Sequence, residues 1–409
     1  MSWDTIKLGD YIETLTDYHA NGAYKKLKAN VELKYKSDYA LMIRTLNFER
    51  NNFNSNLIWV NETEYNFLSK SKVYPDDIIM NKIANAGSVY IMPNLNRPVS
   101  LAMNLFLIRF KELDQKFMYY LMKTNELYIK SFANGVATQS ITKDAVRNLE
   151  FEIPSKTTQK RIADILSAYD DLIENNLKRI NLLEQSAQNI YKEWFVNLRF
   201  PGHENTAINE ETGLPVGWEK LTIEEYTKVA SRGPSLNYKI DKGFPVLNQS
   251  CIRNGEIELD KVRIAEKLKE NKEHCYLQIN DILINSMGQG TLGRVSKNNS
   301  ISEKFIIHNC ITLLRAKDDY SQTLLYHFIS AKEKYFISIS QGSTGQTTLK
   351  LSLIKELILN APSKTLMNSF DDIVLPMWSQ IGKLKTQNQK LKAARDILLP
   401  RLMNRTIEV

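Results

Sequence analysis

The tetrapeptide Pro-Ser-Lys-Thr stands at 154–157 and again at 362–365, 208 residues apart. An apolar, strand-like run leads into each copy (LEFEI at 149–153, LILNA at 357–361), and a long amphipathic stretch follows. A repeat of this length constrains the fold more than any single motif, because one structural plan must then be used twice. The copies align across most of each half. WDTIKLGDYIET from Trp3 matches WEKLTIEEYTKV from Trp218, and PDDIIMNKIANAGSVYI (75–91) matches INDILINSMGQGTLGRVS (279–296), with Asp77 over Asp281 and Asn81 over Asn285. NLFLIRF (104–110) matches NCITLLRA (309–316), and Tyr120 aligns with Tyr326. NGVATQSI (134–141) matches QGSTGQTTL (341–349), with Gly135 over Gly342 and Gln139 over Gln346. From Asp77 onward the offset between anchors drifts only from 204 to 208, as small loop insertions would produce, while the opening tryptophans are 215 apart.

Within each copy, short β-branched and aromatic runs bounded by Gly, Asn and Pro (DIIMNKI, NLFLIRF, ILINSM) predict strands. FMYYLMKTNELYIKSF and LLYHFISAKEKYFISI space apolar residues three and four apart, as helices do. Residues 201–217, PGHENTAINEETGLPVG, are polar with Gly and Pro at both ends and read as a linker. After each Pro-Ser-Lys-Thr the spacing becomes heptad. The first seam is Ile162, Leu166, Tyr169, Ile173, Asn176, Ile180, Leu183, Ala187, Ile190 and Trp194. The second is Phe370, Val374, Met377, Ile381, Leu384, Asn388, Leu391, Arg395, Leu398 and Leu402. Such a narrow apolar stripe needs another helix to cover it, and each copy offers one to the other. Pro376 and Pro400 are expected to kink the second helix or end it early.

The expected fold is therefore a tandem repeat of α/β (α+β) domains, each followed by a long helix, with the helices forming an antiparallel coiled coil of pseudo-two-fold symmetry. The expected boundaries are 1–155 and 218–363 for the domains, 156–200 and 364–409 for the helices, and 201–217 for the linker. A length of 409 residues suits two or more cores. No stretch approaches the roughly 18 apolar residues of a membrane span, and the first residues lack a secretory pattern. The three cysteines, Cys251, Cys275 and Cys310, form no CxxC pair. A reduced, cytoplasmic protein is expected. The net charge of +8 favours polyanionic partners without explaining binding by itself.

Motifs for chemistry are missing. GQGTLG at 288–293 matches GxGxxG, but RVSKNNSIS follows where a helix should open around a pyrophosphate. Arg294 and Val295 stand where a phosphate-binding loop needs Lys and Ser or Thr. The five histidines form no metal-ligand spacing, and Asp76/Asp77 and Asp371/Asp372 sit where caps and turns explain them.

The chain resembles the specificity (S) subunits of type I restriction–modification enzymes. The resemblance runs over nearly the whole chain and rests on the tandem plan and on FEIPSKTTQKRIADILSAYDDLIENNLKRINLLEQ (151–185), TGLPVGWEKLTI (212–223) and QNQKLKAARDILLPRLMNRTIEV (387–409). Two departures are Met367 and Asn368, near where the family has a Gln, and the tail MNRTIEV. The resemblance implies two target-recognition domains, each reading one half of a split site in double-stranded DNA, with helices that space them and dock two methylation subunits. It implies a non-catalytic chain without cofactors. Methylation subunits would bring S-adenosylmethionine and adenine-N6 chemistry, and restriction/translocase subunits would bring ATP, Mg and cleavage; no membrane partner is implied.

Direct DNA contact is expected from polar loops at matching places. In the first copy these supply Asn81, Lys82, Asn85, Ser88, Asn134, Thr138, Gln139, Ser140 and Lys143. In the second they supply Asn285, Ser286, Gln289, Thr291, Arg294, Gln341, Ser343, Thr344, Gln346, Thr347 and Lys350. Asn and Gln suit adenine edges, while Arg and Lys suit guanine or phosphate. The seam asparagines add a register. An antiparallel pair centred on both seams sets Asn176 opposite Asn388, Ile173 opposite Leu391, Leu183 opposite Ile381, Leu166 opposite Leu398 and Ile190 opposite Val374. Two alternatives stay open: a coiled-coil adaptor with no DNA role, and an enzyme using the Gly288–Gly293 loop.

Overall fold

The computed structural model describes residues 3–135, 138–239, 243–253, 255–265, 273–299, 301, 305–340 and 347–409. The chain divides into two compact units, 1–174 with 389–409, and 175–388, so the division falls inside both long helices. Each unit combines one α/β body with part of each helix.

The first unit holds a four-stranded antiparallel sheet in the order Ile12–Asp17, Leu105–Phe110, Ile78–Asn81, Val89–Ile91. A second, mixed sheet runs Ile58–Val60, Ala40–Ile43, Val99–Leu101, Lys72–Val73, its central pair parallel. Asp4–Lys7 pairs with Glu150–Ile153. The second unit repeats this plan. Thr227–Arg232, Ile311–Ala316, Ile282–Asn285 and Val295–Lys297 make the antiparallel sheet. Phe244–Leu247 runs parallel to Ile306–Ile307 in the mixed sheet, and Glu219–Thr222 pairs with Ile358–Ala361.

One ion pair locks both antiparallel sheets and was not foreseen from sequence. Arg109 Nε and Nη2 donate to the two Asp77 carboxylate oxygens at 2.6 and 2.7 Å. Arg315 repeats the fork on Asp281, both contacts at 2.7 Å. A planar guanidinium matches a carboxylate at two points, which fixes the turn entering each strand.

The doubled Pro-Ser-Lys-Thr is a helix start. The long helices run Lys156–Tyr191 and Lys364–Met403. Ser155 Oγ accepts from the Thr158 backbone N–H at 3.4 Å, and Ser363 Oγ accepts from that of Leu366 at the same distance. Each serine thus satisfies an N–H that the first turn leaves open. Gln159, buried beside the first cap, accepts from the Asp114 N–H at 3.0 Å and donates to the Pro154 carbonyl at 3.0 Å. Met367 holds its repeat position, buried against the Tyr226 hydroxyl. That accounts for the departure in the second copy: an amide network is replaced by a packed thioether.

Pro376 does not end the second helix, which continues unbroken to Met403, three residues beyond Pro400. Both prolines lie on the exposed face. The carbonyl that loses its N–H partner four residues earlier can therefore be hydrated, which lowers the cost.

Ile162, Leu166, Ile173, Asn176, Ile180 and Ala187 of the first seam are buried, as are Phe370, Val374, Ile381, Leu384, Asn388 and Leu402 of the second. Tyr169, Leu183, Ile190, Met377, Leu391 and Leu398 are half-buried. Asn176 Nδ2 donates to Asn388 Oδ1 at 2.9 Å within the second unit. There Leu183, Ile190, Val374 and Ile381 join one cluster, and in the first unit Leu166 and Leu398 do the same. The stripe is wider than a bare heptad seam. Tyr191, Phe195, Met367 and Trp378 add a second buried row where the helices lie on the second body. The segment expected as a linker, 201–217, is partly docked: Leu214 joins the core, and the residues flanking the segment, Phe200 and Trp218, pack with ring centroids 5.4 Å apart. Among the described residues, no helix is long and apolar enough to cross a membrane.

Candidate nucleic-acid interface

In the first unit, strand Ile78–Asn81 ends in a turn closed by backbone bonds from Asn81 N–H to the Ser88 carbonyl (2.9 Å) and from Gly87 N–H to the Asn81 carbonyl (2.8 Å). Gly87 has φ +87°, a conformation that costs a residue with a side chain. Beside this turn lies the 134–140 loop, pinched by reciprocal 2.8 Å bonds between Asn134 and Ser140. Ala84 N–H donates to the Gln139 carbonyl at 3.0 Å, and Ile141 N–H to the Lys82 carbonyl at 3.0 Å, so the two loops form one polar corner. Asn85, Asn134, Thr138 and Gln139 are exposed there, and Ser140 is half-buried.

Asp17, at the end of strand Ile12–Asp17, sits under this corner. It accepts from Lys82 Nζ at 2.8 Å and Lys143 Nζ at 3.3 Å, with its own side chain 8% exposed. Burial would raise the Asp17 carboxyl, but the Lys82 hydrogen bond and the charge of Lys143 outweigh it and hold the group below the usual carboxylate range. Both lysines, expected to reach toward DNA, are thus anchored to an internal carboxylate.

The second unit has the same frame. Asn285 N–H donates to the Arg294 carbonyl at 2.9 Å, Gly293 N–H to the Asn285 carbonyl at 2.8 Å, and Leu349 N–H to the Ser286 carbonyl at 2.9 Å. Gln289 and Lys350 are exposed, and Thr291 and Thr347 are half-buried. Half-buried Arg294 is held by the carbonyls of Ile252 (3.2 Å) and Gly290 (2.8 Å). Gly288–Gly293 leads into strand Val295–Lys297, so no helix N-terminus backs the glycine-rich loop.

Four expected contacts must be withdrawn. Asn81, Ser88, Asn285 and Ser286 are 0–3% exposed, so a nucleic acid cannot reach their side chains in this arrangement. Asn285 Nδ2 donates to the carbonyls of Gln249 (2.9 Å) and Thr291 (3.2 Å), and Ser286 Oγ shares a 2.6 Å hydrogen bond with Thr312 Oγ1. These groups close the turn that presents the exposed residues. Gln341, Ser343, Thr344 and Gln346 lie outside the described residues.

Two features escaped the sequence reading. Strand register places Arg232 where the first unit has Asp17: Asp17 faces Phe106, and Arg232 faces the equivalent Thr312. Residues 24–36 also interleave exposed Lys25, Lys26, Lys28 and Lys36 with Tyr24 and Tyr35, 66% and 82% exposed. Lysines among exposed rings suit a nucleic-acid surface, and that alternation was available in the sequence.

With this geometry in view, the comparisons define the class. A family model for the type I restriction modification DNA specificity domain matches residues 2–185 and 215–365, and the chain belongs to that family. It is 26% identical over 299 residues to the type I restriction enzyme MjaIX specificity subunit of Methanocaldococcus jannaschii, covering 70% of this chain and 68% of that one. It is 25% identical over 362 residues to the HindI specificity subunit of Haemophilus influenzae, covering 71% and 76%. The crystal structure of the type I restriction–modification S subunit from M. genitalium has the same fold, with a TM-score of 0.58 at 16% identity, over 98% of this chain and 96% of that one.

Proposed function

We propose that each unit reads one half of a bipartite site in double-stranded DNA, through the polar corner where the 82–87 turn meets residues 138–143 and the matching second-unit corner of residues 286–294 and 347–350. The observation that carries this is the pairing of one backbone frame with two different sets of exposed side chains. A shared frame fixes how each body approaches the duplex, while the differing residues select different bases. The paired helices serve as spacer and as the docking surface for two methylation subunits. Translocation and cleavage fall to restriction subunits. S-adenosylmethionine, ATP and Mg belong to those partners, because the residues for their chemistry are missing from the motifs of this chain.

The test is binding of the full chain to duplex DNA across a salt series, with and without a methylation subunit, followed by a methyl-transfer assay. Binding that weakens steeply with salt, and methylation only with the partner present, are expected. Salt-independent binding, or methyl transfer by the chain alone above trace level, would overturn the proposal.

A further inference from the structure

The two corners share a frame but differ at their centre. In the first, the Asp17 carboxylate lies between Lys82 and Lys143. In the second, the three equivalent places hold Arg232, Ser286 and Leu351; the last two begin from the same loop register, in which Ile141 and Leu349 make matching backbone bonds. The guanidinium therefore has no lysine at the two matching places and, among the described residues, no carboxylate ion pair. Arg232 Nη2 donates to the Leu349 carbonyl, while Nε is buried and, among the described residues, has no hydrogen-bond partner. A guanidinium carries five donors and stays charged in a protein; Nε is enclosed and Nη2 already serves Leu349, so the Nη1 side of this half-buried group is what remains for an outside acceptor. Gly233 sets its position. A Cβ at Gly233 would lie 2.1 Å from the Ile307 carbonyl oxygen, so the chain runs flush against the neighbouring backbone there. Exposed Lys350, next to the carbonyl that Arg232 holds, adds a second cation to the same edge.

We propose that Arg232 donates directly to an acceptor atom of DNA in the second half-site, and that Asp17 withholds such a contact in the first. This rests on the DNA-reading function proposed above. The acceptor is either a phosphate oxygen or a guanine O6/N7 edge, since both take the same N–H donors. In the first unit the Asp17 carboxylate leaves the three groups one net positive charge and draws both lysines inward, away from phosphate, so selection there falls to Asn85, Asn134, Thr138 and Gln139.

The experiment compares full-length wild type, Arg232→Ala, Arg232→Gln and Asp17→Asn by fluorescence anisotropy. The probes are a random duplex and a duplex carrying the motif found by methylome sequencing. Thermal unfolding reports folding of each variant. Arg232→Ala should weaken binding about tenfold. A phosphate contact would weaken both duplexes alike and lower the log–log salt slope by about one. A guanine contact would weaken only the motif duplex, and methylome sequencing would show relaxed choice in one half. Asp17→Asn should tighten binding to the random duplex and steepen its salt slope. If Arg232→Ala does not fold, Arg232→Gln carries the same expectation. A folded Arg232 variant with unchanged affinity and slope on both duplexes overturns this inference alone, whereas a wild-type chain that binds neither duplex overturns the DNA-reading function with it.

Discussion

Lys297 is a buried charge in the second unit, and replacing it should stabilise the protein. It ends strand Val295–Lys297 and is 3% exposed, and among the described residues its Nζ has no hydrogen-bond partner. Its ammonium lies 4.9 Å from the Trp378 ring centroid and 6.0 Å from that of Tyr326. Burial pushes its pKa down from 10.5 to about 8, against a weaker pull from Asp371. A drop of that size corresponds to about 3 kcal/mol against the charged form at neutral pH. The cation–π contact returns about 1–2 kcal/mol of this. Lys297→Met, which keeps the length and drops the charge, is therefore expected to gain about 1–2 kcal/mol at pH 7. In a body of this size that raises the unfolding temperature by about 5 °C. The pH dependence has a definite sign. Between about 8 and 10.5 the unfolded chain holds a proton that the folded chain has lost, so wild-type stability rises with pH across that window and is unaffected by this group below it. About 3 kcal/mol of wild-type stability returns across the window, so the variant's advantage of about 1–2 kcal/mol should vanish within it. Differential scanning fluorimetry of both proteins at several pH values reads this directly. A less stable variant at pH 7, or an advantage that ignores pH, would refute the reasoning.

Asn176→Leu should cost about 1–3 kcal/mol, because the Asn388 amide then loses the donor that faces it, and adding Asn388→Leu should recover most of that loss. A urea-midpoint double-mutant cycle measures it, and simple additivity of the two losses would count against a coupled pair. Asp281→Asn should cost about 3–5 kcal/mol by stranding Arg315, whereas Asp77→Asn should cost less, since the Arg109 side chain is 27% exposed against 12% for Arg315. Thermal unfolding of the two variants gives the order, and the reverse order would contradict it.

What the sequence made legible was what periodicity carries. The repeat, the helix starts after Pro-Ser-Lys-Thr and the facing asparagines all follow from local spacing. The turn asparagines were harder, because Asn81 and Asn285 occupy polar, Gly-containing segments that look the same whether the amide faces solvent or closes the turn. Only strand pairing shows which. Asp17 and Arg232 were missed for the same reason: they lie more than 60 and 50 residues, respectively, from the turns they underlie, and only the sheet register brings them there. Pro376 misled because its effect depends on which side of the helix it occupies, and a proline on the solvent side is tolerated.

The central claim is that each unit reads its own half of the site. Its most direct measurement is methylome sequencing of a host in which residues 218–361 have been replaced by the matching part of a relative with a different target. One half of the methylated motif should change while the other half stays as it was. Change in both halves, or in neither while methylation continues, would contradict it.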